Sequence, residues 1–149
     1  MSQHAKYKHA PVIVQLYEKE VHEADLLREL RIDKHQVERE LFKQPGKFAW
    51  WGSLHSEVAS KVEGLEIDLD QLYAKLYMHY TNKSTKDKLR ATEVKHLIEL
   101  NSEYRKLRRK LWQWRKSERF LKHAVRAFDQ RLYALQSGAA DQRREKTQS

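Results

Sequence analysis

The stretch LIELNSEYRKLRRKLWQWRKSERFLKHAVRAFDQRLYAL, residues 97–135, places Leu97, Leu100, Tyr104, Leu107, Leu111, Trp114, Glu118, Leu121, Val125, Phe128, Leu132 and Leu135 at alternating steps of three and four. That spacing keeps one side of an α-helix apolar, with Glu118 as its interruption. It predicts one helix over 86–136, in which the quoted stretch alone runs ~57 Å at 1.5 Å per residue. A single exposed helix cannot bury so long a stripe, so the stripe must lie against a preceding helix, another subunit, or both.

The rest of the composition agrees with an all-α chain. There are 4 Gly, 2 Pro and no Cys in 149 residues, too few turn formers for many strands. Charged residues make up 34% against 40% hydrophobic, a balance that suits an elongated or oligomeric protein better than a compact globule. Length allows one domain. No run approaches the roughly 20 apolar residues of a membrane span, and Met1 to Lys8 lacks the apolar core of a secretory signal, which points to the cytoplasm.

Moving toward the amino terminus, Val58, Val62, Leu65, Leu69, Leu72 and Leu76 repeat the same alternation. They predict a helix over 45–82, ending in Tyr73, Tyr77 and Tyr80 before a polar turn at residues 81–85. The two long helices then form an antiparallel hairpin with a shared heptad seam. Gln44-Pro45-Gly46 reads as a break, since proline disfavours α geometry in the residue before it. Ahead of it, residues 11–44 are expected to hold shorter helices: one from about Val12 to Arg31, and a second starting at Asp33 with Gln36 as its capping-box partner. Residues 1–10 read as a flexible arm and 137–149 as a disordered tail, around a single helical domain over 11–136. So small a core favours homo-oligomerisation. Leu107, Leu111, Trp114, Leu121, Val125, Phe128 and Leu132 are the expected oligomerisation residues.

Charge is segregated along the chain. Leu16 to Asp70 holds 8 basic and 13 acidic residues, whereas Lys83 to Arg126 holds 15 basic and 5 acidic. The second half therefore invites an anionic partner. Arg105, Lys106, Arg108, Arg109, Lys110, Arg115, Lys116, Arg119, Lys122 and Arg126 all fall outside the apolar stripe, as does Trp112. An indole among guanidinium groups suits single-stranded nucleic acid, the cations neutralising phosphate and the ring accepting a base. The same features admit plainer readings: Trp112 packed on the first helices, a solvated basic face, pairing with acidic segments of a neighbouring subunit, or a helix lying on anionic lipid.

Nothing in the sequence builds an enzyme site. The glycines at 46, 52, 64 and 138 are too scattered for a phosphate loop, and there is neither a Gly-x-Ser-x-Gly turn nor a Cys nucleophile. The eight His residues never stand three or four apart, so no helical metal pair exists, and Asp68 and Asp70 read as a solvated acidic face. No cofactor and no metal are expected.

Ile32-Asp33, Pro45 to Trp51, His55-Ser56, Leu65-Glu66 to Leu72-Tyr73, Tyr77 to Lys83, and Glu93-Val94-Lys95 on to Phe128, Arg131 and Gly138 together resemble the UvsY-like family of phage recombination mediators, over about residues 30–138. The resemblance implies a helical, ring-forming homo-oligomer without catalytic activity. Such a protein binds single-stranded DNA and helps a recombinase displace single-strand-binding protein. At the place where the family carries basic residues ahead of an aromatic pair, this chain has Ala74-Lys75-Leu76, with His79-Tyr80 where the pair would be. The resemblance thus implies only Lys75 in DNA contact; where the chain departs from the family pattern, its own charge distribution points instead to Lys83, Lys86 and Lys88 at the hairpin tip and to Arg105, Arg108, Arg109, Trp112, Arg115, Lys116 and Arg119 on the basic helix. The competing reading is a coiled-coil scaffold or assembly protein whose basic face meets acidic protein partners.

Overall fold

A computed structural model describes residues 14–16, 19–21, 23–83 and 88–149. A short antiparallel ribbon, β1 (Val14–Leu16) with β2 (Lys19–Val21), precedes four helices: α1 (Glu23–Leu30), α2 (Val37–Lys83), α3 (Ala91–Leu100) and α4 (Ser102–Gln148). The ribbon replaces the first half of the helix expected from Val12, leaving only the short α1. The arm expected at residues 1–10 lies outside the described residues. The chain divides into two compact units, one made of Met1–Glu57 with Arg119–Ser149 and the other of Val58–Glu118.

In the first unit, Trp51 is fully buried, stacked on Phe128 with ring centroids 5.9 Å apart and edge-on to Phe120 at 6.5 Å. Its indole N–H donates to Glu29 Oε2 at 3.1 Å, which anchors α1 to α2. This packing explains why Pro45 does not end the helix. A proline inside a helix costs about 3 kcal/mol through its missing N–H and its clash with the preceding turn. Buried Trp51 and Leu54 lie beyond it, and complete burial of a large apolar side chain returns about 1.5–3 kcal/mol. Gln44, immediately before the proline, is itself buried and donates from Nε2 to the Phe128 carbonyl at 2.6 Å. The expected break at residues 44–46 is therefore absent, and α2 runs through it.

The expected capping box is also replaced. Asp33 Oδ1 accepts from the His35 N–H at 2.9 Å, forming a local turn, and α2 begins after Gln36. At the other end of the chain, residues expected to be disordered form the last turns of α4. Leu135 and Ala139 are buried against Val37, with Ile32 and Leu41 around them, and Gln142 Nε2 donates to the Lys34 carbonyl at 3.0 Å. That docking supplies the long-range contacts a polar Gly-containing segment lacks on its own.

In the second unit, α2 and α4 run antiparallel, meeting at Tyr73 with Tyr104 and at Glu66 with Arg115. Val58, Val62, Leu65 and Leu76 of α2 and Leu111 of α4 are buried. Leu76 also packs with Val94 and Ile98 of α3. The helix expected over 86–136 is broken at Asn101, whose backbone is extended at φ −63° and ψ 132°. Its Oδ1 accepts from the N–H groups of Glu103 and Tyr104 at 3.0 and 3.2 Å, an N-cap for α4, while Nδ2 donates to the Tyr80 hydroxyl at 3.2 Å. Because the helix stops there, α3 is free to bury a different face. Val94 and Ile98 point inward, whereas Leu97 and Leu100, expected in the stripe, are exposed. Where a turn is expected at residues 81–85, α2 continues to Lys83 and the Thr81 hydroxyl bonds back to the Tyr77 carbonyl at 2.6 Å, while residues 84 and 85 lie outside the described residues.

Candidate nucleic-acid interface

Within the second unit, α4 separates two kinds of side chain. Leu111 is buried, with Tyr104, Leu107 and Trp114 partly so, which commits one face of the helix to the protein interior. Arg105, Lys106, Arg108, Arg109, Lys110, Trp112, Arg115 and Lys116 are all exposed. At 3.6 residues per turn, Arg108, Arg109, Arg115 and Lys116 lie one turn to either side of Trp112. Trp112 is 58% exposed. The Lys116 ammonium lies 5.8 Å from the centre of its ring, within cation–π reach.

The cations of this face are not equivalent. Arg115 is tied to Glu66 of α2, with Nη2 donating to Oε1 at 2.7 Å and Nε to the same oxygen at 3.3 Å. Both side chains remain about half exposed, so the pair is reachable by solvent ions. On α2, Lys61 makes a similar approach to an indole, its ammonium 5.9 Å from the Trp114 ring centre.

The other residues singled out from the sequence are spread over different elements. Lys75 is exposed on α2 and Lys88 is exposed ahead of α3. Lys83 ends α2, but its side chain, like all of Lys86, lies outside the described residues. Arg119 is exposed on the portion of α4 that belongs to the first unit, as are Lys122 and Arg126. Tyr80, matched to the family's aromatic pair, is half-buried and engaged with Asn101, while His79 beside it is exposed, their rings 5.4 Å apart. Tyr80 therefore holds the junction of α3 and α4. Of the residues expected between subunits, Leu111, Leu121 and Phe128 are buried within their own chain, and Leu107, Trp114, Val125 and Leu132 are only partly covered by it. Among the described residues there is no group of side chains able to hold a metal ion, and no helix is long and apolar enough to cross a membrane.

Spacing along the chain gives Arg131 no role of its own, since a lone arginine on a charged helix looks like solvated surface. It is only 4% exposed. Its guanidinium donates to the side chains of Gln44 and Glu40 and to the carbonyls of Leu30 and Arg31, joining α4 to the start of α2 and the end of α1. The available signal is the polar pair Glu40 and Gln44, four apart on the face of α2 that also bears Val37 and Leu41.

The fold and the family agree. Two crystal structures of the bacteriophage T4 recombination mediator protein UvsY, in lattice types IV and I, match at a TM-score of 0.70. Each match covers 83% of this chain, with 94% and 96% of the T4 chains, at 19% and 18% sequence identity; such a likeness speaks to the fold alone. No curated protein matches significantly. The family model described as "Recombination, repair and ssDNA binding protein UvsY" matches residues 25–146, most of the chain, and the protein therefore belongs to the UvsY family.

Proposed function

We propose that this protein is a recombination mediator that binds single-stranded DNA through α4 and helps load a strand-exchange recombinase onto DNA coated by single-strand-binding protein. The observation that carries this reading is the exposed Trp112 with Arg108, Arg109, Arg115 and Lys116 one turn away on either side, in a chain of the UvsY family. A flexible strand can turn its bases toward the indole while its phosphates meet the cations; a duplex keeps its bases stacked inside. Arg105 extends the basic surface by a further turn, and Lys75, Lys83, Lys86, Lys88 and Arg119 add cations along the strand's path.

Function as a homo-oligomer follows the same physics. Each subunit offers a few phosphate contacts, and a tethered array converts weak contacts into tight binding through effective concentration. Leu107, Trp114 and Val125, incompletely covered by their own chain, are side chains a neighbouring heptad seam would bury. The expected setting is the host cytoplasm, where phage recombination takes place. The mediator's work is binding and positioning and requires no catalytic group.

The test is a salt titration of binding to a labelled oligothymidylate. Phosphate neutralisation gives a log K that falls linearly with log salt, with a slope of about −0.7 per contact on single strands. A nearly flat salt dependence would overturn the proposal. The Arg115 contact with Glu66 favours one second reading, a scaffold whose basic face meets acidic proteins, because it shows this face accepting a carboxylate. Tighter binding to an acidic polypeptide than to oligothymidylate would support that reading.

A further inference from the structure

Glu66 stands where a phosphate would be expected. Its Oε1 takes two hydrogen bonds from the Arg115 guanidinium, one turn from Trp112, and so neutralises one cation of the basic face from the neighbouring helix. Glu63 and Asp70, both exposed, lie three residues before and four after it on α2, and share its side of that helix. A polyanion approaching Arg115 therefore meets a competing carboxylate already in place and like charges behind it. The pair is about half exposed on both sides, and pairs so exposed to water are weak, so an incoming phosphate can displace the carboxylate.

We infer that Glu66 is an affinity-setting residue of the single-strand site, an internal competitor for Arg115 that lowers both the strength and the salt sensitivity of DNA binding. The inference rests on the proposed α4 interface and adds a function that the basic residues alone do not contain. In the free protein Arg115 is occupied. In the complex it exchanges Glu66 for a phosphate, leaving the carboxylate beside the strand as a source of repulsion. A mediator must release DNA to a recombinase, and a carboxylate that recaptures the arginine favours that release.

The experiment compares the full-length protein with Glu66→Gln, Arg115→Gln and the double variant, by fluorescence anisotropy on oligothymidylate over a range of salt, with thermal melting of each. Glu66→Gln should bind on the order of three- to tenfold tighter at low salt, with the slope of log K against log salt steeper by up to about 0.7, because no freed carboxylate then takes up a cation to offset the counterion that the phosphate at Arg115 releases. Adding Arg115→Gln to that variant should abolish the gain, whereas Arg115→Gln alone should cost less than it does in the Glu66→Gln background. Unchanged or weaker binding by a folded Glu66→Gln protein would overturn the inference and mark the pair as a helix-to-helix tie, and a lower melting temperature with unchanged binding would do the same. If neither the unmodified protein nor Glu66→Gln binds oligothymidylate, the proposed single-strand interface itself fails.

Discussion

Arg131 on α4 donates to the side-chain oxygen of Gln44 on α2, and the Gln44 amide nitrogen in turn donates to the Phe128 carbonyl, one turn before Arg131. Both side chains are buried, and Glu40 supplies the opposing charge. The polar groups of this region of the interior are thereby satisfied mutually, as a low-dielectric site demands. Arg131→Ala would strand the Glu40 carboxylate and the Gln44 amide oxygen. Breaking a buried charged pair by removing one partner costs about 3–5 kcal/mol. A loss of that size should appear in urea unfolding, with Glu40→Gln costing less because its amide oxygen still accepts.

Pro45 lies inside α2 without ending it, so its missing N–H and ring clash are costs carried by the folded state. Pro45→Ala should raise stability by about 1–3 kcal/mol, offset to some degree by the greater freedom of the unfolded chain. The check is the denaturation midpoint. A destabilised variant would mean that the proline ring packs usefully where it stands.

Asn101 caps α4 and ties it to Tyr80 with one side chain. Asn101→Ala should cost about 0.5–2 kcal/mol by loss of the cap. Faster amide hydrogen exchange at Glu103 and Tyr104 would locate the effect, and Asn101→Asp, which retains the capping oxygen, should recover most of the stability.

Trp112 is exposed and stands outside the buried core. Trp112→Ala should leave the melting temperature within about two degrees while weakening oligothymidylate binding by about 1–3 kcal/mol, the worth of one stacked base. Quenching of tryptophan fluorescence on DNA addition should fall in parallel. A fall in stability together with unchanged binding would assign the ring to packing.

Arg108→Gln and Arg109→Gln should each reduce the salt slope by about 0.7 while weakening binding to all sequences alike, as phosphate contacts do. Arg131→Lys, which alters a buried cation, should leave that slope unchanged in the protein that remains folded.

Much of the helical content is legible in the sequence because it is a matter of periodicity. Val58, Val62, Leu65 and Leu76 on α2, and Leu111, Leu121, Phe128 and Leu135 on α4, follow spacings that local geometry turns directly into buried faces. Where spacing misleads, a local signal loses to a long-range contact or to a single cap. Pro45 has the chemistry of a helix stop, yet Gln44 and Trp51 on either side are held by α4. Gly138 and its polar neighbours resemble a tail, yet Leu135 and Ala139 find Val37 far back along the chain. Asn101 is hard to recognise as a boundary because asparagine is tolerated within helices, although an Asn followed by an acidic first turn is also a helix start.

The order of residues by itself determined that the chain is helical, that its basic charge gathers in its second half, and that Trp112 stands among cations rather than in the apolar stripe, because each of these depends only on spacing along one helix. Tertiary structure alone decided that Arg131 is an interior hub, that Tyr80 braces a helix junction, and that Arg115 is already paired with Glu66. The physical reason is range. A helix repeats every 3.6 residues and can be read from its neighbours, whereas a guanidinium's partner is chosen by whichever chain segment packing brings within hydrogen-bond distance.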